Sequence, residues 1–122
     1  MSEYQEPTSA ISSLSPSTLF DLLCDPRRRQ ILAVLIAHRR TLTVNDLMKA
    51  VVTREQELPV TEIDGTELTQ AHLELQHSHI PKLAETPLIE YDVERNLVEP
   101  TAQLEHLEPF LSIIDDEELV QP

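Results

Sequence analysis

Three consecutive arginines, Arg27, Arg28 and Arg29, follow Asp25-Pro26 in a chain whose formal charge is -13. Guanidinium groups at a helix start suit phosphate, because the free backbone N–H groups there also favour anions. A structural task suits them equally: pairing with nearby acids such as Asp21 and Asp25. Helical spacing spreads the three around the axis, so they cannot all face one ligand. On this reading Arg28 is tied into the fold and Arg27 is freer to touch phosphate. A second set lies further along, where Gln70, Gln76, His77, Ser78 and Lys82, with Glu74 among them, form the polar side of a helical stretch. Gln and Lys match the hydrogen-bonding edges of bases, and Ser, His and Lys can touch phosphate. Arg95 sits in a turn from which it can reach a phosphate or a minor groove. The plainer alternative for all of these is a solvated surface.

Metal ligands would have to come from Cys24, His38, His72, His77, His79 and His106. His72 and His79 share a helix face and His77 points elsewhere. There is no paired-cysteine motif and no histidine pair four apart, so no metal site and no cofactor are assigned. No nucleophile has a recognisable neighbouring base, and a chain with one glycine has no glycine-rich phosphate loop. The expectation is therefore a binding protein, not an enzyme.

These residues stand in an acidic chain. Asp and Glu number 22 against 9 Lys and Arg, and only Lys49 and Lys82 are lysine. Acidic excess with scarce lysine resembles the habit of salt-in halophiles, haloarchaea above all, where molar salt screens self-repulsion. The alternative is an acidic protein with a basic partner. The 122 residues suit one domain, and 40% apolar content with 3% aromatics suits a modest aliphatic core. The longest apolar run, Ile31 to Ala37, is too short to cross a membrane. The first residues lack the basic-then-apolar pattern of a secretory signal. A cytoplasmic location without membrane contact is expected. Cys24 is the only cysteine, so no internal disulfide forms.

The elements that must position these residues are legible as start and stop signals. Residues 1–13 read as a disordered tail. Ser15-Pro16 starts a helix carrying Leu19, Phe20, Leu22 and Leu23, and Asp25-Pro26 starts a second one. The run ILAVLIA makes that second helix central and buried, ending near His38 to Arg40. Thr41-Leu42 suits a short strand. Thr43 with Asp46 starts a third helix carrying Leu47, Ala50 and Val51. Residues 55–65 read as a loop. Asp64 with Glu67 starts a long fourth helix with Leu68, Leu73, Ile80 and Leu83 inward, which Pro81 should kink or end. Residues 88–92 and 97–99 read as strands joined by a turn at 93–96. Thr101 caps a last helix carrying Leu104, Leu107, Phe110, Leu111 and Ile114, and 115–122 is an acidic tail.

Helix, helix, strand, helix, helix, hairpin, helix is the order of a winged helix-turn-helix domain. Asp25-Pro26-x-Arg28-x-x-Ile31-Leu32-x-x-Leu35 resembles the D-P-x-R-x-x-I-L-x-x-L opening of arsenic-repressor-like (ArsR-like) regulators. Ser78-His79-Ile80-x-x-Leu83, followed by Leu88-Ile89, resembles the end of their recognition helix. The stretches Leu22 to Leu32 and His77 to Asp92, with Pro81, Lys82, Leu83 and Tyr91, also resemble an uncharacterised haloarchaeal winged-helix domain.

The resemblance implies a mainly α fold with a small β-hairpin (α+β): a winged helix-turn-helix over 14–114 with extra terminal helices. It implies a recognition helix at 67–85 and a wing at 88–99. It further implies a DNA-binding transcriptional regulator on double-stranded DNA, contacted by Arg27, Gln70, Gln76, His77, Ser78, Lys82 and Arg95. Dimerisation would use the terminal helices through Leu19, Phe20, Leu23, Leu107, Phe110, Leu111 and Ile114. Two departures favour an alternative, a winged-helix protein–protein interaction module without DNA binding. A long acidic loop replaces the usual turn of about 3–4 residues. The 67–85 stretch also sets Glu67, Glu74 and Glu85 against Lys82 alone, the wrong sign for phosphate.

Overall fold

The first two helices, α1 (Pro16–Cys24) and α2 (Pro26–His38), join at the single residue Asp25. These and all other elements come from a computed structural model that describes residues 14–111. The tails expected at 1–13 and 115–122 lie outside the described residues. Ser15 caps α1 by accepting the Thr18 N–H at 3.0 Å. Asp25 closes α1 and caps α2, its carboxylate accepting the Arg27 and Arg28 N–H groups at 2.8 and 3.2 Å. Both prolines stand at the first helical position, where no N–H is needed. As expected, α2 is central: Ile31, Leu32 and Leu35 are wholly buried.

Strand β1 (Leu42–Thr43) lies one residue later than the sequence suggests. Thr43 then caps α3 (Val44–Gln56), accepting the Asp46 N–H at 3.0 Å. The loop expected from residue 55 is shorter, because α3 runs on to Gln56 and a 3-10 turn occupies Val60–Glu62. Helices α2 and α3 close on Arg39 and Glu57, each in the left-handed conformation (φ 54 and 56) that glycine usually supplies. A chain with one glycine makes these stops with charged residues instead.

Asp64 caps α4 (Gly65–Glu74), accepting the Thr66 N–H at 2.7 Å. Glu67 does not complete a box there; its carboxylate accepts from Gln56 on α3 at 3.3 Å. A π-helical turn over Leu75–His79 leads into α5 (Ile80–Ala84). This turn replaces the expected kink or end at Pro81. An α-helical bond there would need a Pro81 N–H to reach the His77 carbonyl, and proline has none. The chain widens just before it, and the Ile80 N–H donates to the Leu75 carbonyl, five residues back. Ala71, Leu75, Ile80 and Leu83 point inward. Leu73 does not: it is 46% exposed.

Strands β2 (Ile89–Asp92) and β3 (Leu97–Pro100) form the expected hairpin. Asn96 (φ 55) takes the left-handed position of its turn. The antiparallel sheet has the order β1-β3-β2, with Leu42 opposite Val98 and Tyr91 opposite Val98 from the other side. The last helix differs from expectation. Ala102–Leu107 is a 3-10 helix, and α-helical geometry returns only at 108–111. The Thr101 hydroxyl does not cap it; it donates to the Pro87 and Leu88 carbonyls at 2.6 and 3.0 Å, tying the segment to the hairpin's entry.

The fold is mainly helical with a small three-stranded antiparallel sheet, an α+β arrangement. Among the described residues no helix is long and apolar enough to cross a membrane.

Candidate functional site

The arginine triplet works on the fold itself. Helix α1 leaves its last carbonyls without helical partners. Arg28 donates to the Leu22 and Asp21 carbonyls at 3.3 and 2.7 Å, and Arg29 donates to Leu23 at 2.6 Å. Both side chains are buried. The expectation for Arg28 holds. Arg27 is the most exposed of the three, 25% of its side chain accessible, but it is not free. Its Nε and Nη2 donate to Glu55 at 3.0 and 2.8 Å and its Nη1 donates to Glu74 at 3.0 Å. The hydrogen bond with Glu55 holds its pKa above the usual guanidinium value, against the effect of burial. Five donors in a fork favour this double grip, and little of it is left for a phosphate.

These contacts give α4 an acidic flank. A pocket of about 470 Å³ lies between the start of α2, the end of α3 and α4, and Asp25, Glu55, Glu67 and Glu74 line it with Arg27 and His79. Gln70 belongs to this flank, its amide donating to Glu74 at 3.3 Å. His79 is buried, with Nδ1 lacking a hydrogen-bond partner. Burial pushes its pKa below the usual imidazole range, with Asp25 and Glu74 opposing and Arg28 and Arg27 assisting.

The other flank has a different chemistry. A groove of about 390 Å³ runs between α3 and α4. Asn45, Met48 and Lys49 line it from α3, and Thr69, His72 and Leu73 from α4. No carboxylate lines it, and Asp46, the acid next to Asn45, is not among its walls. Lys49 is exposed and makes no ion pair among the described residues. Gln76 continues this line toward the hairpin, its amide lying 3.5 Å from Asn96 Oδ1.

The remaining candidates are scattered. His77 and Ser78 are exposed on the π turn. Lys82 pairs with Asp21 of α1 at 2.8 Å, and that hydrogen bond and charge hold Asp21 below the usual carboxylate range. Arg95 at the hairpin tip stands 3.9 Å from Asp92 and is largely exposed. His72 and His79 do not share a face: His72 of α4 lines the groove, and His79 of the π turn lines the acidic pocket. Asn45, Lys49 and Thr69 were missed by the sequence reading, which sought polar residues on one helix and not the groove two helices share.

The residues assigned to dimerisation divide too. Leu23, Leu107 and Leu111 are buried in the chain's own core, and Leu19 packs against it. An aliphatic core with few aromatics needs them, so they offer a second copy no surface. Phe20 and Phe110 are exposed at 73% and 46%. Ile114 lies outside the described residues.

The fold is a small α+β domain in which α4 has an acidic flank on one side and a carboxylate-free groove on the other. The chain belongs to the family described as domain of unknown function DUF7344, whose model matches residues 20–99. That span runs from within α1 to the end of the hairpin and contains both flanks of α4. No curated protein and no solved structure matches the chain.

Proposed function

We propose that this protein is a DNA-binding regulator of winged helix-turn-helix type. Helices α3 and α4 form the reading pair, the α4–α5 unit is the recognition helix, and the β2–β3 hairpin is the wing. The observation that carries this reading is the carboxylate-free groove beside Lys49, on a chain where acids outnumber bases 22 to 9. A groove free of acids suits a polyanionic partner, although exposed Asp46 stands beside it and Glu90, Asp92 and Glu99 surround Arg95 on the hairpin. The recognition helix enters the major groove on its Thr69, Leu73 and Gln76 side, and the hairpin carries Arg95 to the neighbouring backbone. Of the seven residues nominated from the sequence, Gln76, His77, Ser78 and Arg95 stay in this role. Arg27, Gln70 and Lys82 are taken up by Glu55, Glu74 and Asp21. Phe20 and Phe110 serve a homodimer.

The acidic flank favours a second reading, a protein-interaction module whose partner is basic. Selection from a random duplex library in about 2 M KCl, where surface charge is screened, separates the two. Enrichment of a palindrome with half-sites about 10 base pairs apart supports the DNA reading. A folded protein that enriches nothing rejects it in favour of the module.

A further inference from the structure

We infer that Leu73 is a base-reading residue, and that it selects thymine. This rests on the DNA reading above and names what its groove recognises. Leu73 stands in the middle of α4, 46% exposed, at a position where the helical pattern called for an inward residue. About half of this leucine still faces water, and removing that apolar surface from water is favourable, so an apolar contact is on offer there. The residues around it narrow the chemistry. Thr69 lies one turn before it and His72 beside it, and they line the same groove with Lys49, Met48 and Leu68. Apolar surface is thus set among hydrogen-bonding groups and one cation, with no carboxylate. That is the complement of a thymine edge in the major groove, where the C5-methyl is the one apolar group any base presents and the phosphates are near. Gln76, on the side toward the hairpin, carries an amide that matches the N6 and N7 of adenine. Leucine and glutamine at this spacing read a step containing thymine and adenine.

The test uses the full-length protein and the duplex that selection enriches. Each thymine is replaced in turn by deoxyuridine, which deletes only the C5-methyl. The expected result is a loss of about fourfold or more at one thymine per half-site, the worth of one buried methyl group. Leu73→Ala should bind the parent duplex more weakly by a similar factor and no longer distinguish thymine from deoxyuridine there. Its melting midpoint should be unchanged, because the side chain is not part of the core. If the wild type binds every deoxyuridine duplex as well as the parent, or if Leu73→Ala still senses the methyl, the thymine assignment falls and DNA binding stands. If no duplex is enriched, the DNA reading falls and takes the assignment with it.

Discussion

Arg27 at the start of α2 grips Glu55 near the end of α3 through two parallel hydrogen bonds, at 3.0 and 2.8 Å. The same guanidinium reaches Glu74 of α4 at 3.0 Å, so one side chain pins three helices at the acidic flank. An arginine near a helix N-terminus opposes the helix dipole, and two carboxylates more than offset that. Both partners are about three-quarters buried, with side-chain exposures of 25% and 22%. Solvent screening is therefore incomplete, and the pair should exceed an open surface bridge. A double-mutant cycle with Arg27→Ala and Glu55→Ala should give a coupling of about 1 kcal/mol, at the top of the surface range. A coupling near zero in urea melts would show the geometry to be without consequence.

The α1–α2 junction makes a second prediction. Asp25 caps α2 while Arg28 caps the far end of α1. Asp25→Ala should cost about 1 kcal/mol, and Asp25→Asn, which keeps the cap but not the charge, should cost part of that. Burial raises the Asp25 pKa, but the N–H bonds from Arg28 and Arg27 outweigh it and the net shift is downward. Arg28→Met should cost about 1.5–3 kcal/mol by leaving the Leu22 and Asp21 carbonyls without their charged donor. Arg28→Lys should recover part of that loss. Equal stability of the Met and Lys variants in thermal melts would mean that the stem matters and the donors do not.

Acid should weaken the fold in two separate steps. His79 is buried with its pKa lowered, mainly by desolvation. The unfolded chain then binds the imidazole proton first, so stability falls as pH drops below about 6.5 and levels off past the folded value. The charges facing His79 are Asp25, Glu74, Arg28 and Arg27. Asp21 and Asp25 have lowered pKa values. Their contribution is present above the ordinary value of about 3.9 and is lost as pH falls through the folded ones. Melting midpoints of the wild type and His79→Gln across this range should differ in slope only in the upper window. Parallel curves there would remove His79 as the cause.

The order of elements was open to sequence reasoning because it rests on local signals. Ser15-Pro16, Asp25-Pro26, Thr43 and Asp64 each cap the helix they precede, and Asn96 turns the hairpin. What stayed hidden depends on distant partners. Helical periodicity placed Leu73 inside, but the π turn and the packing of Ala71 and Leu75 turn α4 so that it faces out. Arg27 looked free because its partners lie 28 and 47 residues away in sequence. Thr101 read as a cap by residue type, and the Pro87 and Leu88 carbonyls outcompete that role. The groove was invisible for the same reason: Lys49 and Thr69 meet only in three dimensions.

Lys49 makes the last prediction, because it separates charge from base reading. It is the cation of the groove, while Lys82 lies outside that groove and is held by Asp21 of α1. On the DNA reading each phosphate neutralised contributes about -0.9 to the slope of log affinity against log salt. With so few unpaired cations near the groove, the wild-type slope should be shallow, on the order of -2 to -4 for a dimer. Lys49→Ala should weaken binding to all duplexes alike and flatten the slope by about 0.9 per subunit. Gln76→Ala should leave the slope unchanged but erase discrimination at one base pair, at a cost of about 1–3 kcal/mol. Titrations at several KCl concentrations, on the selected duplex and a scrambled one, read both quantities at once. If Lys49→Ala leaves the slope unchanged, the phosphates do not lie along the α3–α4 groove, and the docking face must be sought elsewhere on the domain.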